Sequence, residues 1–337
     1  MGAWRPNRRE QPDNDASCLR LSWVLTQETM QKIKMALLRG VCQMPAYAAY
    51  EAGIFREEGL EVEIEVPATA WLVPQKLSSR DCQFAVMPWT RVAAAAGHPL
   101  VLLAGSGHEE AAMVMRAGIT EEEVRRVAIP LRGGIKDLTA QGLIRSLGWK
   151  NVEILRQPSG DGAIIAFFGQ GVDAASMVEP YATMMELLGV GRVIRRTGDL
   201  WKGAPGCSLT TTAEFKEQAP EVVAAMVRGF VRGAGFVRQQ PDRSAEMASR
   251  YIGIHSKFIR AALERNQPNL DALRNHGAMS QILQLMVELG YVEKVAKGFA
   301  DLTFLDAAQG RLKPAGMNKR RDRATGAARE MLKANEL

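Results

Sequence analysis

Asp81–Gly97 reads DCQFAVMPWTRVAAAAG, and Asp173–Gly189 reads DAASMVEPYATMMELLG. Each starts at Asp, runs through an apolar stretch to Pro seven residues on, places an aromatic next, and reaches Gly sixteen residues from the Asp. The apolar run has the composition of a buried strand. Pro cannot donate to a strand ladder but suits the first turn of a helix. Each copy therefore predicts a strand that stops, and a helix that starts, at its Pro. Trp89 and Tyr181 fall at the carboxyl ends of those strands, where open α/β sheets bind ligands. Two readings of each aromatic stay open: a plug for the strand–helix corner, or a ligand contact.

The pattern extends in both directions. Lys32–Leu38 is an apolar run of strand length, and a helix follows from Pro45 to Gly53. Leu60–Val66 (LEVEIEV) alternates apolar and acidic residues, the period-two signature of a half-buried strand. A helix around Pro74, the strand CQFAVM, the helix TRVAAAA and the strand LVLLAG continue the alternation expected of a mostly parallel sheet. Ala111–Ala117 then places strand after strand, which marks the chain leaving a first lobe. A second βα series starts at RVAIP, and CSLTTTAEF carries the chain back; from Pro220 to about Leu305 the pattern is helical. This predicts a polar N-terminal tail (1–30), a discontinuous first lobe (31–112 plus 207–310), a second lobe (113–206) and a basic C-terminal tail (311–337).

The 337 residues suit two domains, and hydrophobic and charged contents of 47% and 24% are those of a globular protein. No run approaches the roughly 18 apolar residues of a membrane helix. The net charge of +6 is concentrated in the tail, where residues 311–337 hold eight Lys/Arg against three Asp/Glu. The body lacks the aromatic-studded basic stripe of a single-strand binder, so no nucleic-acid partner is expected. Cys18, Cys42, Cys82 and Cys207 form no CxxC pair and the four histidines no HExxH, so no metal site is legible and no cofactor is expected. The apolar portion of the first thirty residues is short and broken by Arg20, unlike a signal-peptide core, which as written implies a cytoplasmic location.

Several segments in order, PAYAAYEAGIFREEGLEVEIE, LSSRDCQFAVMP, RVAIPLRGGIKDLTAQGLIRSLGW and GQGVDAASMVEPYATMME, resemble the solute-binding proteins of the nitrate/sulfonate/taurine transporter group, including its NMT1/THI5-like branch. The resemblance runs from about Lys32 to Asp306. It implies an α/β, two-lobed type II periplasmic-binding-protein-like fold with parallel-rich sheets, two hinge crossings and a helical C-terminal part. It also implies closure around a small molecule, an ABC permease as partner, a monomer, and a periplasmic or cell-surface location if the start site lies elsewhere.

Carried onto this chain, the resemblance places the ligand at the strand ends. These are Val41, Cys42, Gln43 and Met44; Pro88, Trp89 and Thr90; Ser106 and Gly107; and, in the second lobe, Arg132, Gly133, Gly134, Glu179 and Tyr181. Gly133 and Gly134, opening a helix, offer backbone N–H groups to an anion, with Arg132 as a fork beside them; the alternative is a plain turn. Where relatives carry Ser or Thr, this chain has Ile135 and Lys136. Glu179 would favour a ligand amine, ring N–H or hydroxyl, and so a zwitterionic or heteroaromatic solute, unless it is a helix-first-turn acid. The expected function is binding of an organic anion or such a solute, without catalysis. The alternative is an enzyme on the same scaffold, resembling the desulfinase of dibenzothiophene degradation or the pyrimidine-precursor synthases, with Cys42 as nucleophile and His108 beside it.

Overall fold

The computed structural model describes residues 30–94, 99–131, 135–157, 160–295 and 297–311. The described strands form two five-stranded sheets. The first contains β1 (Gln31–Ala36), β2 (Leu60–Glu65), β3 (Phe84–Pro88), β4 (Leu100–Gly105) and the returning β10 (Cys207–Thr212), in the order β2-β1-β3-β10-β4. The second contains β5 (Ala111–Arg116), β6 (Arg126–Pro130), β7 (Glu153–Gln157), β8 (Ala174–Val178) and β9 (Gly191–Arg196), in the order β7-β6-β8-β5-β9. β1, β2 and β3 run parallel, as do β6, β7 and β8, while β10 and β5 enter antiparallel to their neighbours.

Side-chain chemistry accounts for the strand positions. β3 and β4 are buried along their whole length, as continuous apolar strands covered on both faces must be. β2 lies at an edge and alternates, with Leu60 and Val62 buried and Glu61 and Glu63 exposed. The acidic face keeps the open edge wet and discourages pairing with another chain.

The doubled motif forms as expected. β3 ends on Pro88 and α2 (Trp89–Ala94) follows; β8 ends at Val178 and α4 (Tyr181–Leu187) follows Pro180. Between β6 and β7 lies α3 (Ile135–Ser146). After β1, α1 (Met44–Glu51) carries Pro45 in its first turn and stops before Gly53, whose φ of 75° is the left-handed conformation that suits a chain reversal.

The chain leaves the first sheet after Gly105 and returns to it at Cys207. The two crossings run side by side and antiparallel: the Ser106 N–H donates to the Cys207 carbonyl (3.0 Å), Gly206 N–H to Gly107 O (3.0 Å), and Glu109 N–H to Ala204 O (3.0 Å). Beyond β10 the chain is helical, and its longest helix, α5 (Pro220–Gln239), packs across α1. No helix among the described residues is long and apolar enough to cross a membrane.

The α5–α1 contact depends on a missing side chain. A Cβ built on Gly233 would lie 2.1 Å from the Pro45 carbonyl oxygen and 2.8 Å from the Ala49 Cβ, whereas one on Gly235 meets nothing within 4 Å. Gly233→Ala should therefore lower stability by about 2 kcal/mol through overpacking. Gly235→Ala should raise it by roughly 0.5–1 kcal/mol through helix propensity. Urea denaturation midpoints measure both, and shifts of the same sign would contradict the packing described.

Candidate functional site

The carboxyl ends of β1, β3, β6 and β8 and the start of β10 converge on one cavity of about 110 Å³. The first sheet contributes Leu38, Arg39, Cys42, Pro88 and Arg91, together with the Pro67–Trp71 segment after β2; the crossing contributes Cys207. Pro130, Leu131, Ile135, Lys136, Val178 and Tyr181 close it from the second sheet. Its charged lining among the described residues is cationic, Arg39, Arg91 and Lys136, with no Asp or Glu. Arg91 is buried, lies with its guanidinium 3.7 Å from the Trp71 ring centroid, and has no hydrogen-bond partner at Nε. Burial pulls its pKa down to about 10, partly offset by Asp137.

The residues expected at the site divide into three groups. Cys42, Pro88 and Tyr181 line the cavity, and the Tyr181 hydroxyl donates to the Ile252 carbonyl (2.9 Å). A second group is buried nearby and occupied with the fold. Val41 N–H donates to Glu179 O (3.1 Å), joining the lobes. Gln43 accepts from Leu38 N–H (3.1 Å) and donates to Cys42 Sγ (3.1 Å). Met44 and Thr90 are fully buried, and Ser106 donates its hydroxyl to the Cys42 carbonyl. Gly107 packs against Cys42 and Glu110. Arg132, Gly133 and Gly134 lie outside the described residues.

Two expectations are corrected by packing. Trp89 is 0% exposed; its indole N–H donates to Pro205 O (3.0 Å) and its ring stacks on Phe299, so it plugs the corner instead of facing a ligand. Glu179 is 1% exposed and turned into a structural ion pair with Arg196 (2.6 Å), while also accepting from Thr183 N–H (2.9 Å). It is the helix-turn acid of the two readings, satisfied by a cation and the first turn of α4.

Sequence reasoning missed Arg39, the Pro67–Trp71 loop, Arg91 and the lining role of Lys136. Arg91 carried a usable signal: it stands two residues beyond Trp89, in the first turn after a strand end. The loop after β2 carried none, because nothing in its residues reports which way it folds.

A second assembly was invisible in the spacing of its members. Cys42 and Cys207, 165 residues apart, bring their sulfurs to 3.0 Å, and the Glu110 carboxylate joins them; the three donor atoms lie within 4.8 Å of one another, all buried. No hydrogen bond of normal geometry reaches either Glu110 oxygen. Burial raises its pKa to about 6, with the nearby thiols, Lys136 and the Cys207 N–H pulling the other way. Burial also raises the Cys42 thiol, and the Cys42 contact together with burial raises Cys207 well above its usual range. His108, offered as a partner base, makes no hydrogen bond to Cys42; its carbonyl accepts from Asn266 (2.8 Å).

A family model described as the NMT1-like family matches residues 26–252. No curated protein matches the chain significantly. Among solved structures, it is similar to the ligand-binding component of an ABC-type import system from Staphylococcus aureus, solved with zinc bound (TM-score 0.71, 16% identity, 82% of this chain and 99% of that one). It is also similar to the nitrate-binding protein NrtA from Synechocystis PCC 6803 (0.69, 15%, 85% and 90%). A third is the aliphatic sulphonate-binding protein SsuA from Escherichia coli (0.66, 15%, 79% and 90%). At these identities the likeness establishes the type II binding-protein fold.

The Glu110 environment has a pH signature. A carboxyl raised from 4.5 to about 6 on folding adds stability that is complete below the lower value and is lost as pH rises through the higher one. This amounts to about 2 kcal/mol across that window. Glu110→Gln should flatten that part of the stability curve, measured by urea melts between about pH 4 and 8. An unchanged slope would mean that the carboxyl is solvated.

Proposed function

The chain belongs to the NMT1-like family, and from that premise we propose that it is a solute receptor whose lobes close on a small organic anion. The observation that carries this reading is the cavity lining: Arg39, Arg91 and Lys136, no acid among the described residues, and the aromatic surfaces of Trp71 and Tyr181. Cations in a partly desolvated cleft recognise sulfonate or carboxylate oxygens strongly, while the rings and prolines accept an apolar body. A zwitterion loses its basis once Glu179 is committed to Arg196.

Delivery to an ABC permease is the role that fits, since a neighbour that shares the fold is named as the ligand-binding component of an ABC-type import system and two others as periplasmic binding proteins. The receptor would act as a monomer, both walls of the cleft coming from one chain, and would work in the periplasm or at the cell surface, where a permease accepts its solute. Thiol catalysis is the weaker reading, because Cys42 is buried and its thiol is raised by that burial, with Cys207, Gln43 and Glu110 as its hydrogen-bonding neighbours.

Calorimetry and thermal-shift screening with alkyl and aryl sulfonates and carboxylates, each paired with a neutral amide or alcohol analogue, test the proposal. Anions should bind and their neutral partners should not. Hydrogen bonds to charged groups contribute about 1.5–3 kcal/mol, so Arg91→Met and Lys136→Met should each weaken binding roughly 10- to 100-fold. Trp89→Phe should leave it unchanged. A ligand set made of amines or neutral molecules would refute the reading.

A further inference from the structure

Glu110 lies in the interlobe region but is not part of the cavity lining. It lies where the first crossing enters β5, its residue 2% exposed, beside the two thiols and the Cys207 N–H but with no hydrogen bond of normal geometry at either carboxylate oxygen. A buried carboxylate without a partner costs several kcal/mol, and proteins keep one where something compensates. The fold makes room for it deliberately. A Cβ on Gly206 would fall 2.2 Å from one Glu110 oxygen, and a Cβ on Gly107 would fall 2.8 Å from the other and 3.1 Å from the Cys42 Cβ. Side chains at either position would fill the space that the carboxylate and the thiol occupy.

Against this acid stand two free thiols, Cys42 and Cys207, 5% and 4% exposed. Together the three offer two soft sulfurs and one hard oxygen, a mixed donor set that suits a borderline, thiophilic divalent ion such as Zn²⁺. Both cysteines also line the solute cavity, so a fourth coordination position opens towards it. Three protein ligands and one open position is the arrangement of zinc sites that accept an outside ligand.

We propose that Cys42, Cys207 and Glu110 form a binding site for a thiophilic divalent cation at the floor of the interlobe cavity. The ion takes two thiolates and one carboxylate, and the two thiol protons leave to solvent. Metal–sulfur bonds of about 2.3 Å at the tetrahedral angle require sulfurs about 3.8 Å apart. The thiols, now at 3.0 Å, therefore part by less than about 1 Å, within the reach of small side-chain rotations. A disulfide would use the thiols equally well but would leave the buried carboxylate without a cation bound to it; a metal ion serves all three. Glu110 and Cys207 stand on or beside the two crossings and Cys42 follows β1, so the ion ties both crossings to the first lobe. The site stands whether or not an organic anion binds above it.

The test uses the full chain, reduced, chelator-treated and titrated with Co²⁺ alone. One equivalent should produce a sulfur-to-cobalt charge-transfer band in the near ultraviolet and intense visible bands of tetrahedral coordination, and Zn²⁺ should displace it. Cys42→Ser and Cys207→Ser should each lose intensity in the charge-transfer band and weaken Zn²⁺ binding at least about 100-fold, the upper end of what loss of an outer-shell partner costs. Glu110→Gln should keep the band and weaken binding. Cys82→Ser, altered at the opposite end of β3, should match the unmodified chain. The proposal is overturned if the unmodified chain gives no charge-transfer band, a readout that needs no variant to fold. It is equally overturned if the Cys42→Ser/Cys207→Ser double variant retains the band, or if the reduced chain merely loses two thiols in air and takes up no metal.

Discussion

The antiparallel pairing of the two crossings, residues 106–109 with 204–207, is the constraint on which the other features rest. Three backbone hydrogen bonds of 3.0 Å hold the crossings together, which requires small residues where they meet the groups behind them. Gly107 and Gly206 meet that requirement. Because β10 starts at the second crossing and lies between β3 and β4, the same pairing seats the returning strand in the first sheet. It also delivers Cys207 to the end of β3, directly across from Pro88. The cavity lies where it does because strand ends from both sheets meet above this hinge.

Charge is distributed with some economy around it. Buried acids outside the hinge are matched: Glu179 with Arg196 (2.6 Å), Asp137 with Arg156 (3.0 Å), and Asp173 with Arg116 (3.0 Å) and the backbone N–H groups of Arg125 and Arg126. These pairs hold the frame of the second lobe, while the charged lining of the cavity among the described residues is Arg39, Arg91 and Lys136. Among the buried acids of the described residues, Glu110 departs from the pattern. A buried acid without a cation partner, where the other buried acids described have one, marks function more readily than stability.

The doubled stretch that opens the sequence shows how one local pattern takes two tertiary roles. Asp81 is exposed whereas Asp173 is buried in an ion pair; Trp89 is sealed beneath Phe299 whereas Tyr181 reaches the cavity wall. The repeated feature is the strand-to-helix joint, dictated by Pro chemistry. What each flanking side chain meets depends on neighbours drawn from distant segments, Phe299 in one case and Ile252 in the other.

The sequence by itself determined the alternation of strands and helices, the points where Pro and Gly start and stop them, and the departure and return of the chain near residues 111 and 207. These are local properties, set by backbone freedom and by the period of apolar residues. Tertiary structure alone decided that Arg91 and Lys136 line the cavity while Glu179 does not, and that the loop after β2 closes it. It alone brought Cys42, Glu110 and Cys207 together, since their proximity comes from two crossings folding side by side. Strand pattern records which face of an element is apolar, but a binding site is made of side chains whose closeness is fixed by long-range packing, and no spacing along the chain encodes it.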